Sequence, residues 1–148
     1  MFGGGQERGV RPGTLPVALI VGLGKAAQLA QQEHAPRRLA AERVKGRLIA
    51  DLHDVEHQIN GDQSCCQPHV LNVSFPGVDS EALMMALRDE LAVSNGAACT
   101  RDLYGSSHVL EAMGLAPERI ASAIRISWGP GVAAIPVSVL RDAILRLR

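Results

Sequence analysis

Apolar and polar positions alternate most cleanly over residues 69–75, where Leu71, Val73 and Phe75 fall on one side and Asn72 and Ser74 on the other. A period of two predicts a half-buried strand, and Pro76-Gly77 supplies the turn that ends it. Elsewhere the period lengthens to that of a helix. Leu19, Leu23, Ala26 and Ala30 keep one apolar face over residues 15–32, and Leu48, Leu52 and Val55 do so in a second helix opened by Pro36 and running to about residue 58. Asp79 or Ser80 caps a helix to about residue 91, with Leu83, Met84, Leu87 and Leu91 facing a core. Ala92-Val93-Ser94 reads as a short strand. Ser106 or Ser107 then caps a helix carrying Val109, Leu110 and Met113, which Gly114 stops. Pro117 starts a short turn, residues 123–128 form a third strand, and Pro136 begins a last helix striped by Val137, Leu140, Ile144 and Leu147. Few strands among many helices, without regular βαβ alternation, predict an α+β fold with a small antiparallel sheet.

Composition narrows the function classes. With 148 residues, 47% of them hydrophobic, the chain can bury a core of its own. Its formal net charge of zero offers no electrostatic surface for direct contact with nucleic acid. No apolar run approaches the roughly 20 residues of a membrane span, and no signal-peptide pattern opens the sequence, so the expectation is a cytoplasmic protein without a membrane partner. Three cysteines, two of them adjacent, do not make a disulfide framework, in keeping with a reducing compartment.

Four places carry candidate chemistry. Ser94-Asn95-Gly96-Ala97-Ala98-Cys99-Thr100 puts a cysteine behind small residues at the exit of a strand, where the glycine permits a positive φ and the thiol is accessible. Taken alone, a free cysteine is more often a small buried hydrophobe. The glycine-rich residues 2–14 lead to Thr14 as an N-cap, with Pro16 in the first turn and Arg11 nearby. That arrangement is either an anion site or a plain turn. Arg125 lies between Ile124 and Ile126 and points to the opposite face. It is either a solvated edge position or, if buried, a residue in need of a carboxylate, which its planar fork suits. His53 and His57 stand four apart on the predicted second helix, a spacing that can hold a metal, but only Asp54, Cys65 or Cys66 offers a third ligand. The reading is a solvated face and no metal. Cys65-Cys66, in the polar loop from Asn60 to Pro68, reads as an incidental pair, and the methionines read as packing.

Gly3-Gly4-Gly5-Gln6-Glu7-Arg8-Gly9-Val10-Arg11-Pro12-Gly13-Thr14, Val70-Leu71-Asn72-Val73-Ser74-Phe75, the Cys99 loop and Ala123-Ile124-Arg125-Ile126-Ser127 resemble, in that order, the C-terminal part of cysteine desulfurases. These are pyridoxal-phosphate enzymes of the class V aminotransferase group. The resemblance implies the small C-terminal domain of a fold-type I enzyme over residues 35–148, preceded by a remnant of the large cofactor-binding domain over residues 1–34. It implies that Cys99 takes sulfur from cofactor-bound L-cysteine as a persulfide, releasing alanine, and passes it to an acceptor protein. Arg125 would hold the substrate carboxylate, and Thr14 would contact the cofactor phosphate of the neighbouring subunit in a homodimer. Iron–sulfur assembly, tRNA thiolation and DNA phosphorothioation are all served by the family, and no residue here selects among them.

The sequence also departs from the family. The Ser-x-His-Lys segment that carries the cofactor lysine is not in it. Its two lysines, Lys25 and Lys45, lie in predicted helices. Ser127-Trp128-Gly129-Pro130-Gly131 differs from the family's polar continuation. The expectation is therefore a truncated or split desulfurase, inactive alone. A non-catalytic sulfur carrier or interaction domain and a nonfunctional remnant are the alternatives.

Overall fold

The computed structural model describes residues 2–96 and 107–148. They fall into two compact units, Met1–Pro36 and Arg37–Arg148.

In the first unit, the glycine-rich segment holds one short 3-10 turn, Gln6–Gly9, with Glu7 and Arg8 at positive φ inside it. Gln6 closes the segment on itself, its Oε1 accepting from the Gly13 amide at 3.0 Å. Helix α1 (Val17–Asp51) starts here and continues into the second unit. Two separate helices were expected, the second opened by Pro36. Instead Pro36 lies inside one helix of 35 residues. A proline removes one ladder hydrogen bond and costs about 3 kcal/mol. The Ala, Gln, Leu and Arg residues around it are good helix formers and carry the helix through. The apolar face expected of Leu19 and Leu23 is exposed, at 73% and 72%.

The second unit is built on a three-stranded antiparallel sheet, β1 (Gln58–Ile59), β2 (Val70–Ser74) and β3 (Ala123–Ser127), in that spatial order. The α+β fold with a small antiparallel sheet is as the sequence predicts. Leu71, Val73, Phe75, Ile124 and Ile126 form the main core on one face. They pack with Val44 and Leu48 of α1, with Leu83 and Leu87 of α2 (Ser80–Leu87), and with Leu140 and Ile144 of the last helix (Val137–Leu147). Between them lie α3 (His108–Ala112) and α4 (Pro117–Ala121), so the last helix is α5. Leu110 and Ile120 from α3 and α4 join Ala123 in a second, smaller cluster. Ser74, across from Ala123 in the β2–β3 register, is therefore fully buried, and β2 is more enclosed than its alternation suggests.

Local chemistry fixes the joints. Phe75-Pro76-Gly77-Val78 is a turn closed by the Val78 amide on the Phe75 carbonyl at 3.1 Å, with Gly77 at φ +79° as a proline-glycine turn requires. Asp79 caps α2, its Oδ1 accepting from the amides of Glu81 and Ala82. Gly114 at φ +74° ends α3: its amide bonds the Glu111 carbonyl and that of Leu115 bonds the Leu110 carbonyl, the paired pattern of a glycine-terminated helix. On α3 only Leu110 is buried. Val109 is exposed, and so is Met113 just past the helix end, which was expected to pack.

Candidate functional site

Three residues carry the sequence-based site, and the structure treats each differently. Cys99 lies outside the described residues. Arg125 is described in full. Its backbone amide donates to the Ser94 carbonyl at 2.5 Å, and the Ser94 amide donates to the Arg125 carbonyl at 3.1 Å. Since both polar backbone groups of Arg125 are used by Ser94, its opposite neighbour on β2, Asn72, is a non-hydrogen-bonded pair with the closer side-chain approach. Arg125 is thus flanked on both sides and is not at a sheet edge as the sequence reading allowed. Ile124 and Ile126 are buried, while Arg125 is exposed on the other face, as the alternation indicates. Among the described residues its guanidinium has no hydrogen bond or ion pair.

Thr14 belongs to the first unit and is exposed. The expected cap geometry is not there. The amides of Leu19 and Ile20, in the first turn of α1, bond the Pro16 carbonyl at 3.0 and 3.1 Å, so Pro16 stands at the boundary and Thr14 lies before it. Arg11 folds back, its Nη1 donating to the carbonyls of Gly13 and Thr14 at 2.9 and 3.2 Å.

Neither lysine fits pyridoxal phosphate. Lys25 is on the exposed first half of α1 and donates to Gln28 Oε1 at 3.0 Å. Lys45 is buried against the core, with Nζ donating to the Gln67 carbonyl at 3.4 Å. A buried lysine spent on a backbone carbonyl is a packing residue.

A polar cluster that the sequence reading missed lies beside Arg125. Asn60 is 3% exposed, and its Nδ2 donates to Asn72 Oδ1 and Ser74 Oγ at 2.7 and 2.8 Å. Its Oδ1 accepts from Arg119 Nε at 2.6 Å, while Arg119 Nη2 donates to the Ile59 carbonyl at 2.9 Å. Ser74 Oγ and Ser122 Oγ both donate to the Arg119 carbonyl. The cluster pins β1 and α4 to β2, the strand that carries Asn72 opposite Arg125. Its partners lie up to 60 residues apart, which no local pattern could announce.

His53 and His57 do not share a helix face. Helix α1 ends at Asp51, His53 Nδ1 bonds the Ala50 carbonyl, and His57 Nδ1 bonds the Val55 carbonyl. No helix among the described residues is long and apolar enough to cross a membrane.

Comparison with known proteins places this arrangement. A family model described as Aminotransferase class-V matches residues 4–134. The cysteine desulfurase IscS of Methylococcus capsulatus is 44% identical over 153 residues, an alignment that covers 100% of this chain and 38% of that protein. The cysteine desulfurase IscS of Escherichia coli is 47% identical over 130 residues, covering 87% of this chain and 32% of that protein. Among solved structures, DndA from Streptomyces lividans superposes with a TM-score of 0.59 at 44% identity over 88% of this chain and 37% of that one. A NifS-like protein superposes with a TM-score of 0.69 at 28% identity, over 99% and 36%. The chain spans about a third of the length of the curated relatives it matches.

Proposed function

The chain belongs to the class-V aminotransferase family, in its cysteine desulfurase branch, and from that premise we propose that it is the sulfur-accepting portion of such an enzyme. The family depends on pyridoxal phosphate, which supplies an electron sink when bound. The lysines of this chain do not fit that group, so its part of the reaction is assigned to a lysine-bearing segment outside these 148 residues. Residues 1–34 correspond in this reading to the large domain and residues 35–148 to the small one.

Within that frame, Arg125 receives the carboxylate of L-cysteine, and Thr14 steadies the cofactor phosphate of a partner subunit. Cys99 acts as a thiolate on the substrate sulfur. A sulfur–sulfur bond forms and the substrate's carbon–sulfur bond breaks. The electron pair of that bond, joined by a proton, stays on the carbon that leaves as alanine. The persulfide on Cys99 is then open to attack by an acceptor protein's thiol. One observation carries the reading: the Ser94–Arg125 bridge. It ties the carboxylate-holding residue directly to the segment that leads to Cys99. Cys99 is five steps along the chain from Ser94, a span of at most about 18 Å.

The surroundings of Lys25 and Lys45 favour a second reading, in which the chain accepts sulfur mobilised entirely by another polypeptide. Both readings are tested by incubating the chain with a complete cysteine desulfurase and L-cysteine, then measuring the mass of the Cys99 peptide. We expect the mass of one added sulfur, abolished by Cys99→Ser. No added sulfur would overturn both. The chain alone, given L-cysteine and pyridoxal phosphate, should make no alanine, and alanine formation lost on Lys25→Ala or Lys45→Ala would overturn the assignment of the cofactor lysine elsewhere.

A further inference from the structure

The Cys65-Cys66 pair is the thiol cluster that sulfur transfer leaves unused. Both thiols are exposed, on the loop between β1 and β2. Its backbone is held in place. Gln63 Nε2 donates to the carbonyls of Asn60 and Gly61 at 3.2 and 3.0 Å, and Asp62 Oδ1 accepts from the amide and the hydroxyl of Ser64 at 2.9 and 2.6 Å. The sulfurs have polar company too. Gln63 Nε2 donates toward Cys66 Sγ at 3.8 Å, and Asp62 Oδ2 lies 3.9 Å from Cys65 Sγ. Cys66 Sγ and the Met113 methyl crowd the same side of Gly61, 3.5 and 3.6 Å from where a Cβ would stand.

Covalent geometry limits what two adjacent cysteines can do. Neighbouring Cα atoms across a trans peptide are about 3.8 Å apart, short of the roughly 4.4–6.8 Å that disulfides span. A direct sulfur–sulfur bond would close a small ring around a peptide group that resists leaving planarity. One atom inserted between the sulfurs, at a metal–thiolate distance of about 2.3 Å, lets them stand up to about 4.6 Å apart and relieves the ring. The pair therefore favours a bridging thiophilic atom over an internal disulfide. A larger coordination shell is not on offer. Among the described residues, no group of three or more His, Cys, Asp or Glu is placed to hold a metal, so those residues offer no tetrahedral zinc site. Soft sulfur donors in low number select monovalent copper.

We infer that Cys65 and Cys66 form a two-thiolate site for a soft monovalent cation of the copper(I) class. Binding releases both thiol protons to solvent and moves no electrons. The Asp62 carboxylate adds negative charge next to the bound cation. This site is independent of the sulfur-transfer reading.

The Cys99→Ser chain keeps only this pair of thiols. Titrated anaerobically with copper(I) against a chromophoric chelator, it should bind one ion. Adding Cys65→Ser or Cys66→Ser should weaken binding by about 100-fold, since each removes the chelate. No binding by the Cys99→Ser chain, or undiminished binding when both Cys65 and Cys66 are serine, overturns the proposal. Excess glutathione disulfide gives an independent measurement. Mixed disulfides with glutathione on the pair are expected, and an internal Cys65–Cys66 disulfide as the main product would overturn the bridging argument.

Discussion

Leu23 and Leu48 stand on the same helix and meet opposite fates. Leu23 is 72% exposed and Leu48 is 1% exposed. The difference follows from how each half of α1 is patterned. Around Leu48, apolar residues recur at one-turn intervals, with Val44 before it and Leu52 after, so a single stripe faces the sheet and is covered by it. Residues 17–23 read Val-Ala-Leu-Ile-Val-Gly-Leu, apolar on every side of the axis. A helix apolar all round needs partners on several sides, and the first unit supplies none of them for Leu19, Ile20, Val21 or Leu23. The same residue type is core in one half and exposed surface in the other. Burial belongs to the partner as much as to the residue.

The contrast is sharpest under truncation. Phe75→Ala in the sheet core should cost about 3–5 kcal/mol in urea unfolding, whereas Leu23→Ala should stay within about 0.5 kcal/mol. Equal losses would erase the distinction between the two regions. Next in size is Asn60→Ala. It strips partners from Asn72, Ser74 and Arg119 and should cost about 1–3 kcal/mol, measured in the same way. Asp79→Ala, which uncaps α2, should cost about 1 kcal/mol. Smaller still is the effect on stability of Leu19→Gln combined with Leu23→Gln. Those changes should leave the unfolding midpoint alone but reduce self-association in sedimentation, because the parent chain should oligomerise through its uncovered apolar face. A monodisperse parent would break the comparison.

The least effect belongs to Asp62. The Ser64 hydroxyl, followed by the Ser64 amide, holds its carboxyl below the ordinary value of 3.8. A lowered folded-state pKa contributes stability above the unfolded value and loses it as pH falls through the folded one. The stability difference between the parent chain and Asp62→Asn should therefore be largest near neutral pH and shrink in acid. A difference that grows in acid would contradict it.

Periodic features were legible in the sequence. The alternation through Leu71, Val73 and Phe75, the stripe Val137, Leu140 and Ile144, the Asp79 cap and the Gly114 stop all express local spacing, and each is where the spacing puts it. Leu48, Leu52 and Val55, read as recurring at helical spacing, are all buried, although the helix ends before the last two and short-range turns carry them inward. What escaped was non-local. Two residues of β1 are too few to show a period, and Asn60 looks like any loop asparagine until Arg119 arrives from far along the chain. The outward direction of Arg125 was readable from its isoleucine neighbours. That Ser94 would flank it was not, because a one-residue bridge leaves no pattern.

That bridge gives the site a built-in reporter. The Arg125 amide hydrogen is held by the Ser94 carbonyl, so its deuterium uptake records how often the segment leading to Cys99 lifts away from β3. Amides that β2 and β3 share within the sheet provide an internal reference on the same strand. The rate at which Ser94 parts from β3 is thus encoded in a single exchangeable proton, readable without any turnover.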